Sequence, residues 1–161
     1  MNIIFLDFDG VMDTASYDLY LMRNNLPECD EKGRPVFDPE CMENLRLLID
    51  STKADVVVTS DWKYIDNYEG LLQMWNERQM PGFMTDTTPN VSKHRGDEIQ
   101  RWLNECGIKC NYVIIDDLGA ENFNDNQLDK LVIVDSYYGL DKDATEKAMA
   151  ILKRQMECGD I

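Results

Sequence analysis

Two aspartates, Asp7 and Asp9, stand one residue apart directly after an apolar run, and Gly10 follows them. The run at residues 2–6 is typical of a buried strand in a mostly parallel sheet, because it lacks polar alternation. Gly10 allows an abrupt turn after the strand. The two carboxylates would then lie at the carboxyl end of the strand, where open α/β sheets bind their ligands. This arrangement suits chemistry on an anion with the help of a metal ion.

The D-x-D-G motif alone is weak evidence for catalysis. Its simplest alternative is an acidic turn in contact with solvent, and a second is part of a calcium-binding loop. The calcium-loop alternative fails on spacing, because Gly10 follows the second carboxylate immediately and an apolar strand, not a helix, precedes Asp7.

Two later apolar runs also end in polar side chains. One ends in Thr59 and Ser60, whose hydroxyls can bind phosphate oxygens or satisfy the local backbone. The other ends in Asp116 and Asp117. Adjacent carboxylates repel each other unless a cation or solvent relieves the repulsion, so we expect either a metal ion or open water beside this pair.

Two basic residues, Lys93 and Arg95, stand at the predicted start of a helix. A cation there could neutralise a bound phosphate or a nucleophilic carboxylate, although such charge usually marks a solvated helix end. His94, the only histidine, lies in the same polar run, and we assign it no role.

The elements that position these residues are predicted from apolar periodicity. Five strand candidates alternate with amphipathic helical segments, at residues 2–7, 55–59, 82–86, 112–116 and 131–135. This alternation predicts βαβ units with right-handed crossovers, and therefore a three-layer α/β/α sandwich around one open sheet.

Helix boundaries are indicated by capping residues. Asp38 and Pro39 can begin one helix, Ser92 can cap another, and Gly107 can end the latter. Residues 13–36 fit the alternating scheme poorly, because they are polar and interrupted by proline and glycine. We predict that they form a small flap beside the site, too short for a separate cap domain.

Composition limits the classes of protein to which the chain can belong. Its 161 residues predict one domain spanning 1–161, and five cysteines without a C-x-x-C pair argue against disulfides and a zinc site. The net charge of -15 argues against broad affinity for duplex nucleic acid or for an anionic membrane. No apolar stretch is long enough for a transmembrane helix, and no signal peptide is recognisable, so we expect a soluble, cytoplasmic protein.

Taken together, the three polar strand ends and the basic helix start resemble, in order and spacing, the four motifs of the haloacid dehalogenase (HAD) superfamily of phosphohydrolases. The resemblance covers nearly the whole chain. The sequence resembles more closely a small, nearly capless branch of this superfamily found in RNA-repair fusion proteins. Four segments carry this closer resemblance: Thr-Ser-Asp-Trp-Lys at 59–63, Arg-Gly-Asp-Glu-Ile-Gln-Arg-Trp-Leu at 95–103, Tyr-Val-Ile-Ile-Asp-Asp at 112–117 and Gly-Leu at 139–140. One departure is Lys63, where that branch often has arginine.

The resemblance implies a HAD-like Rossmannoid parallel sheet of order 3-2-1-4-5 and a set of chemical roles. Asp7 would be the nucleophile that becomes an aspartyl-phosphate, and Asp9 would protonate the leaving oxygen and later activate water. Mg²⁺ would be held by the carboxylates of Asp7 and Asp116 and by the backbone carbonyl of Asp9, with Asp117 beside or behind it.

The same resemblance implies the phosphate-binding residues. Gly10, Thr59 and Ser60 would bind the transferring group, and Lys93 or Arg95 would offset the charge that develops in the transition state. Both basic residues lie at an acceptable distance from the last motif, so both remain candidates.

The predicted activity is therefore a Mg²⁺-dependent phosphomonoester hydrolase. The main alternative is a non-catalytic, phosphate- or metal-binding regulatory module that kept the fold. A receiver-type phosphoacceptor is disfavoured, because its acceptor aspartate follows the third strand, and here the D-x-D motif follows the first. For the substrate we expect a phosphate on a nucleotide or on a nucleic-acid end, and the sequence does not indicate an oligomeric state.

Overall fold

The computed structural model describes residues 1–159, so the last two residues of the predicted domain, 160 and 161, lie outside the described part. Five strands form one sheet: β1 (Asn2–Leu6), β2 (Asp55–Val58), β3 (Met84–Thr87), β4 (Asn111–Asp116) and β5 (Leu131–Ile133). Their order is β3-β2-β1-β4-β5, and every neighbouring pair is parallel. The predicted fold class and strand order are confirmed. The least regular predicted strand, β3, begins at Met84 rather than at residue 82.

Five α-helices accompany the sheet: α1 (Ala15–Arg23), α2 (Pro39–Thr52), α3 (Tyr68–Glu77), α4 (Arg95–Glu105) and α5 (Lys142–Gly159). Alternate strand side chains divide the core into two layers, because successive side chains of a strand point to opposite faces. Ile4 and Leu6 pack with residues of α2, α3 and α5, whereas Ile3 and Phe5 pack with Ile99 of α4. Helices on both faces produce the predicted three-layer sandwich.

The helix caps match the sequence signals in one case and differ in another. Asp38 caps α2, since its side chain accepts a hydrogen bond from the Glu40 backbone, and Pro39 occupies the first helical position. The predicted capping role of Ser92 is wrong. Helix α4 begins at Arg95 with His94 as its cap residue, and the Ser92 hydroxyl accepts a hydrogen bond from the His94 backbone before the helix starts.

The predicted flap at 13–36 contains a helix, α1, that the polar sequence pattern does not indicate. Thr14 begins this helix by accepting a hydrogen bond from the Tyr17 backbone. Ion pairs tie the rest of the flap to the body, because Arg34 contacts Asp66 at 3.5 Å and Arg78 of the segment after α3 contacts Asp30 at 2.9 Å.

None of the helices in residues 1–159 combines the length and the apolar character that crossing a membrane requires. The five cysteines are free thiols.

Candidate active site

The carboxyl ends of the three central strands bring the polar motifs together. The backbone ladder continues beyond the strands, since the Asp7 amide donates to Ile115 (3.1 Å) and the Thr59 amide donates to Leu6 (2.9 Å). These bonds fix the directions of the Asp7 and Thr59 side chains. The third residue, Asp116, is the last residue of β4. Asp7, Thr59 and Asp116 are all buried at the same edge of the sheet.

Three carboxylates form a group that could hold a metal ion. One oxygen from each of Asp7, Asp116 and Asp117 lies within 4.8 Å of the others. Oδ1 of Asp116 accepts a hydrogen bond from the Leu118 backbone, but the buried Oδ2 has no hydrogen-bond partner. A buried carboxylate oxygen without a partner is costly, and carboxylate oxygens are the ligands that Mg²⁺ prefers. The residues present therefore fit a magnesium ion.

Arg95 supplies the only cation among the residues that line the cleft beside these carboxylates. Its Nη1 lies 3.2 Å from Asp7 Oδ1 and 3.3 Å from Asp116 Oδ2. The same nitrogen donates to the Thr59 carbonyl at 2.7 Å and to the Thr59 hydroxyl at 3.2 Å. Its Nη2 lies 3.3 Å from Asp61 Oδ1. The buried guanidinium thus links the ends of the three central strands.

Lys93, the other basic candidate, does not reach this group. Its side chain is exposed and borders a separate groove. Arg95 is the first residue of α4, and its guanidinium is directed toward the carboxylates. Lys93 precedes the helix. The structure thus brings Arg95, and not Lys93, into contact with Asp7.

The single positive charge of Arg95 does not compensate the negative charges of the neighbouring carboxylates, Asp7, Asp116 and Asp117. Burial raises the pKa of Asp7 well above its usual range, and the charge of Asp116 raises it further, although Arg95 opposes both effects. Burial also raises the pKa of Asp116 despite the nearby Arg95. A divalent cation would favour the ionised form of both groups.

Asp9 lies at the mouth of the cleft, with an exposed side chain. The indole Nε1 of Trp62 donates a hydrogen bond to Asp9 Oδ1 at 2.9 Å. Trp62 is itself held by Phe8 and Phe37, whose ring centroids lie 5.1 and 5.6 Å from its own. A packed tryptophan therefore orients one oxygen of Asp9. The Asp9 carboxylate is not in the metal-binding group, so the predicted contact of its backbone carbonyl with the ion stays a prediction.

Asp13 is a further carboxylate beside Asp9. Its Oδ1 accepts a hydrogen bond from the Gly10 amide at 3.0 Å. Burial raises the pKa of Asp13 to about 7, and the negative charge of Asp9 contributes in the same direction. The negative charge of Asp9 therefore disfavours the ionised form of Asp13.

Gly10 makes room for the metal-binding group. Its φ of +75° favours glycine, and a Cβ at this position would lie 2.3 Å from Asp117 Oδ2. Ser60 is buried, and its hydroxyl accepts a hydrogen bond from the Trp62 amide at 3.3 Å, capping the 3₁₀ helix Asp61–Tyr64. The phosphate-binding roles of Gly10, Thr59 and Ser60 stay predictions.

Together these side chains border a cleft of about 150 Å³. Its lining consists of Asp7, Asp9, Asp61, Arg95, Asp117 and Leu118. Sequence reasoning did not identify Asp13 or Asp61 as site residues, and it did not predict the contact of Trp62 with Asp9. Asp61 and Trp62 stand directly after the Thr-Ser motif, and Asp13 follows Asp9 by four residues, but neither spacing distinguishes them from surface residues.

Lys63, the departure noted in the sequence, lies outside this cleft. Its ammonium group is buried, forms an ion pair with Glu98 and donates to the Thr88 hydroxyl at 3.2 Å. Burial lowers the pKa of Lys63, and Glu98 acts against that change.

The family model described as the HAD domain in Swiss Army Knife RNA repair proteins matches residues 3–145. The match covers the five strands except Asn2 and includes every residue of the cleft, and it supports a fold of the phosphohydrolase type. Members of the HAD family typically use Mg²⁺, which agrees with the acidic group described above. No curated protein and no solved structure is similar enough to this chain to match it.

Proposed function

Because the chain belongs to the family of HAD domains in Swiss Army Knife RNA repair proteins, we propose that it is a Mg²⁺-dependent phosphomonoester hydrolase that acts through an aspartyl-phosphate. The observation that carries this proposal is the environment of Asp7. This carboxylate is buried, lies 3.2 Å from the Arg95 guanidinium, and shares a metal-sized space with Asp116 and Asp117.

The chemistry begins at an oxygen of Asp7. This oxygen attacks the phosphorus atom, and the bond from phosphorus to the leaving oxygen breaks while Asp9 donates a proton to that oxygen. In the second half of the reaction, Asp9 takes a proton from a water molecule that attacks the phosphorus atom of the aspartyl-phosphate. The products are inorganic phosphate, the free alcohol and the original Asp7 carboxylate.

The carboxylates of Asp7, Asp116 and Asp117, with the backbone carbonyl of Asp9, would hold Mg²⁺. When bound, the ion offsets negative charge and so permits a carboxylate to approach a phosphate. Arg95 supplies a second, permanent positive charge beside Asp7, because a guanidinium remains protonated at all working pH values. The Thr59 hydroxyl accepts a hydrogen bond from Arg95 at 3.2 Å, and we propose that it also contacts a phosphate oxygen.

Asp9 needs one free oxygen for proton transfer. The indole of Trp62 donates to Oδ1, and we assign proton exchange with the leaving group and with water to Oδ2. Asp13, whose Oδ1 accepts a hydrogen bond from the Gly10 amide at 3.0 Å, lies beside Asp9 at the same turn.

For the substrate we propose a terminal phosphate on a nucleotide or on a short single strand. The flap at 13–36 carries one short helix, and a cleft without a large cap can admit a phosphate carried on a large molecule. The family is named for its occurrence in RNA repair proteins, which favours a nucleic-acid end. The net charge of -15 opposes extended contacts along a duplex.

The test is hydrolysis of a 3'-phosphorylated oligonucleotide, a nucleoside monophosphate and a sugar phosphate with Mg²⁺. Asp7→Asn should lower kcat on the order of 10⁴-fold or more, because the nucleophile is lost. Asp9→Asn should lower kcat by at least ~100-fold. The matched control is Asp50→Asn, the same change at an exposed position of α2, which should retain full turnover.

Near-normal turnover by Asp7→Asn would contradict the covalent mechanism. A strong preference for the sugar phosphate would overturn the substrate class and leave the phosphatase proposal standing. Binding of Mg²⁺ without turnover of any phosphomonoester would instead favour the non-catalytic module.

A further inference from the structure

A second groove, of about 520 Å³, adjoins the carboxylate cleft, and Asp61 borders both. The remaining lining consists of Tyr64, Asn90, Val91, Ser92 and Lys93. We propose that this groove is a nucleotide subsite, in which a base stacks on Tyr64 and a second phosphate pairs with Lys93 while the scissile phosphate lies beside Asp7. The proposal rests on the proposed function. The volume of the groove is within the range of about 300–1,000 Å³ that small-molecule sites occupy.

The Tyr64 ring is held in place before any ligand binds. Its hydroxyl lies 3.0 Å from Glu98 Oε1 and 3.3 Å from the Ser92 carbonyl. The buried ammonium group of Lys63 lies 4.9 Å from the ring centroid and so covers the ring from the protein side. The side chain is nevertheless 52% exposed where it borders the groove. A fixed and half-exposed aromatic ring can stack on a base with little loss of conformational entropy.

Glu98 fixes both walls of the groove. This carboxylate is 2% exposed and binds Lys63 and Tyr64 on one wall. On the other wall it accepts hydrogen bonds from the backbone amides of Val91 at 3.1 Å and Ser92 at 3.3 Å. The shape of the groove therefore depends on the buried ion pair between Lys63 and Glu98.

The charges of the groove suit a ligand with a second phosphate. Lys93 is exposed, and within the described residues 1–159 it takes part in no ion pair. The one carboxylate of the lining, Asp61, has its Oδ1 3.3 Å from Arg95 Nη2 at the side of the groove that faces the cleft. Asn90 is exposed beside Lys93 and offers amide donors and acceptors to a base edge. A sugar monophosphate has neither the aromatic face nor the second anion that these residues would bind.

The test compares kcat/KM on glycerol phosphate, thymidine 3'-monophosphate and thymidine 3',5'-bisphosphate. Tyr64→Leu should lower kcat/KM about tenfold for both nucleotides, because base stacking is lost, and should leave glycerol phosphate unchanged. Tyr64→Trp should restore the nucleotide rates. Phe83→Leu is the matched control, since it removes an exposed aromatic ring at the opposite end of the sheet.

Lys93→Ala should lower kcat/KM for the bisphosphate alone, and the difference from the parent should shrink as salt is added. The subsite is overturned if Tyr64→Leu affects glycerol phosphate as much as the nucleotides, or if Lys93→Ala affects the two nucleotides equally.

Calorimetric titration of the parent and Tyr64→Leu proteins with thymidine 3',5'-bisphosphate separates the subsite from catalysis. If no phosphomonoester is hydrolysed, the proposed function is wrong. The titration still shows whether the groove binds a nucleotide. A Kd about tenfold weaker in Tyr64→Leu supports the subsite, and an equal Kd overturns it.

Discussion

Two clusters of buried charge lie within the same fold, and they differ in how their charges are compensated. In the first, Lys63 is 6% exposed and Glu98 is 2% exposed, and the two side chains form an ion pair with each other. The remaining hydrogen-bonding capacity of Glu98 is taken by Tyr64 and by two backbone amides. Each charge in this cluster has an opposite charge beside it.

The second cluster contains Asp7, Asp116 and Asp117 around a single guanidinium, that of Arg95. Its negative charge exceeds its positive charge, and one buried oxygen of Asp116 has no hydrogen-bond partner. The cluster also borders an open cleft. In a closed and balanced pair, removal of one partner leaves an uncompensated buried charge, whereas an unbalanced cluster open to solvent has excess negative charge that a cation could offset.

The largest effect on stability should come from breaking the balanced cluster. Lys63→Met leaves the Glu98 carboxylate buried without its cation, so we expect the free energy of unfolding to fall by about 3–5 kcal/mol. Urea denaturation measures this change. The double variant Lys63→Met with Glu98→Gln should recover most of the loss, because no charge then remains and the glutamine oxygen still accepts from the backbone amides.

Asp7→Asn is the matched change in the unbalanced cluster, and without metal it should leave the free energy of unfolding unchanged or higher. Equal losses of stability in Lys63→Met and Asp7→Asn would mean that the two clusters do not differ.

Magnesium should sharpen the contrast, because we expect it to bind the unbalanced cluster and not the balanced one. At 100 times its Kd, Mg²⁺ should raise the free energy of unfolding by about 2.7 kcal/mol, since a ligand that binds only the folded state stabilises it. Thermal unfolding with and without Mg²⁺ measures this shift, and chelation should abolish turnover. Asp116→Asn should lose the shift and Asp50→Asn should keep it. A full shift in Asp116→Asn would show that the ion binds elsewhere.

The pH dependence of stability should reveal Asp13. Its pKa is about 7 in the folded protein and about 4 when unfolded, so the folded state binds more protons between these values. Stability of the metal-free protein therefore falls as pH rises from about 4 to about 7, and the contribution is constant above that range.

Asp13→Asn removes this loss. At pH 8 the variant should be more stable than the parent by about 2 kcal/mol, a value discounted for the partial exposure of the carboxyl group, and the difference should shrink toward pH 4. Urea denaturation at several pH values is the measurement. If the stability difference between the variant and the parent did not change with pH, ionisation of Asp13 would not contribute to the stability of the protein.

The smallest predicted effect concerns the orientation of Asp9. Trp62→Phe keeps an aromatic ring but removes the indole N–H, so kcat for an alkyl phosphate should fall about tenfold with little change in KM. The loss in kcat/KM, which reports formation of the aspartyl-phosphate alone, should be smaller for p-nitrophenyl phosphate, whose leaving group needs no proton. An equal loss for both substrates would indicate that Trp62 acts through packing alone.

The fold was predictable where local signals agree with the tertiary structure. Apolar runs identified the strands, and Asp38 with Pro39 identified the start of α2 correctly. Ser92 failed as a cap because Glu98 holds the backbone amides of residues 91 and 92 and delays the helix until Arg95. Such a contact depends on side chains that meet only in the folded chain.

The candidate site was predictable to the extent that its residues follow strands. Asp7, Thr59 and Asp116 converge because the carboxyl ends of parallel strands share one edge of a sheet. Trp62 and Asp13 carry no such signal, because their contacts with Asp9 and Gly10 arise from loop conformation. A buried lysine is rare, and nothing in the sequence indicates that Lys63 pairs with Glu98.

The covalent role of Asp7 is tested most directly by mass spectrometry of Asp9→Asn protein quenched after mixing with p-nitrophenyl phosphate and Mg²⁺. This leaving group departs without an acid, whereas hydrolysis of the aspartyl-phosphate needs a base at Asp9, so the intermediate should accumulate. We expect a burst of p-nitrophenolate equal to the concentration of protein, and one phosphoryl group on the peptide that contains Asp7. A burst without phosphorylation of Asp7, or phosphorylation that persists in the Asp7→Asn and Asp9→Asn double variant, would contradict the covalent mechanism.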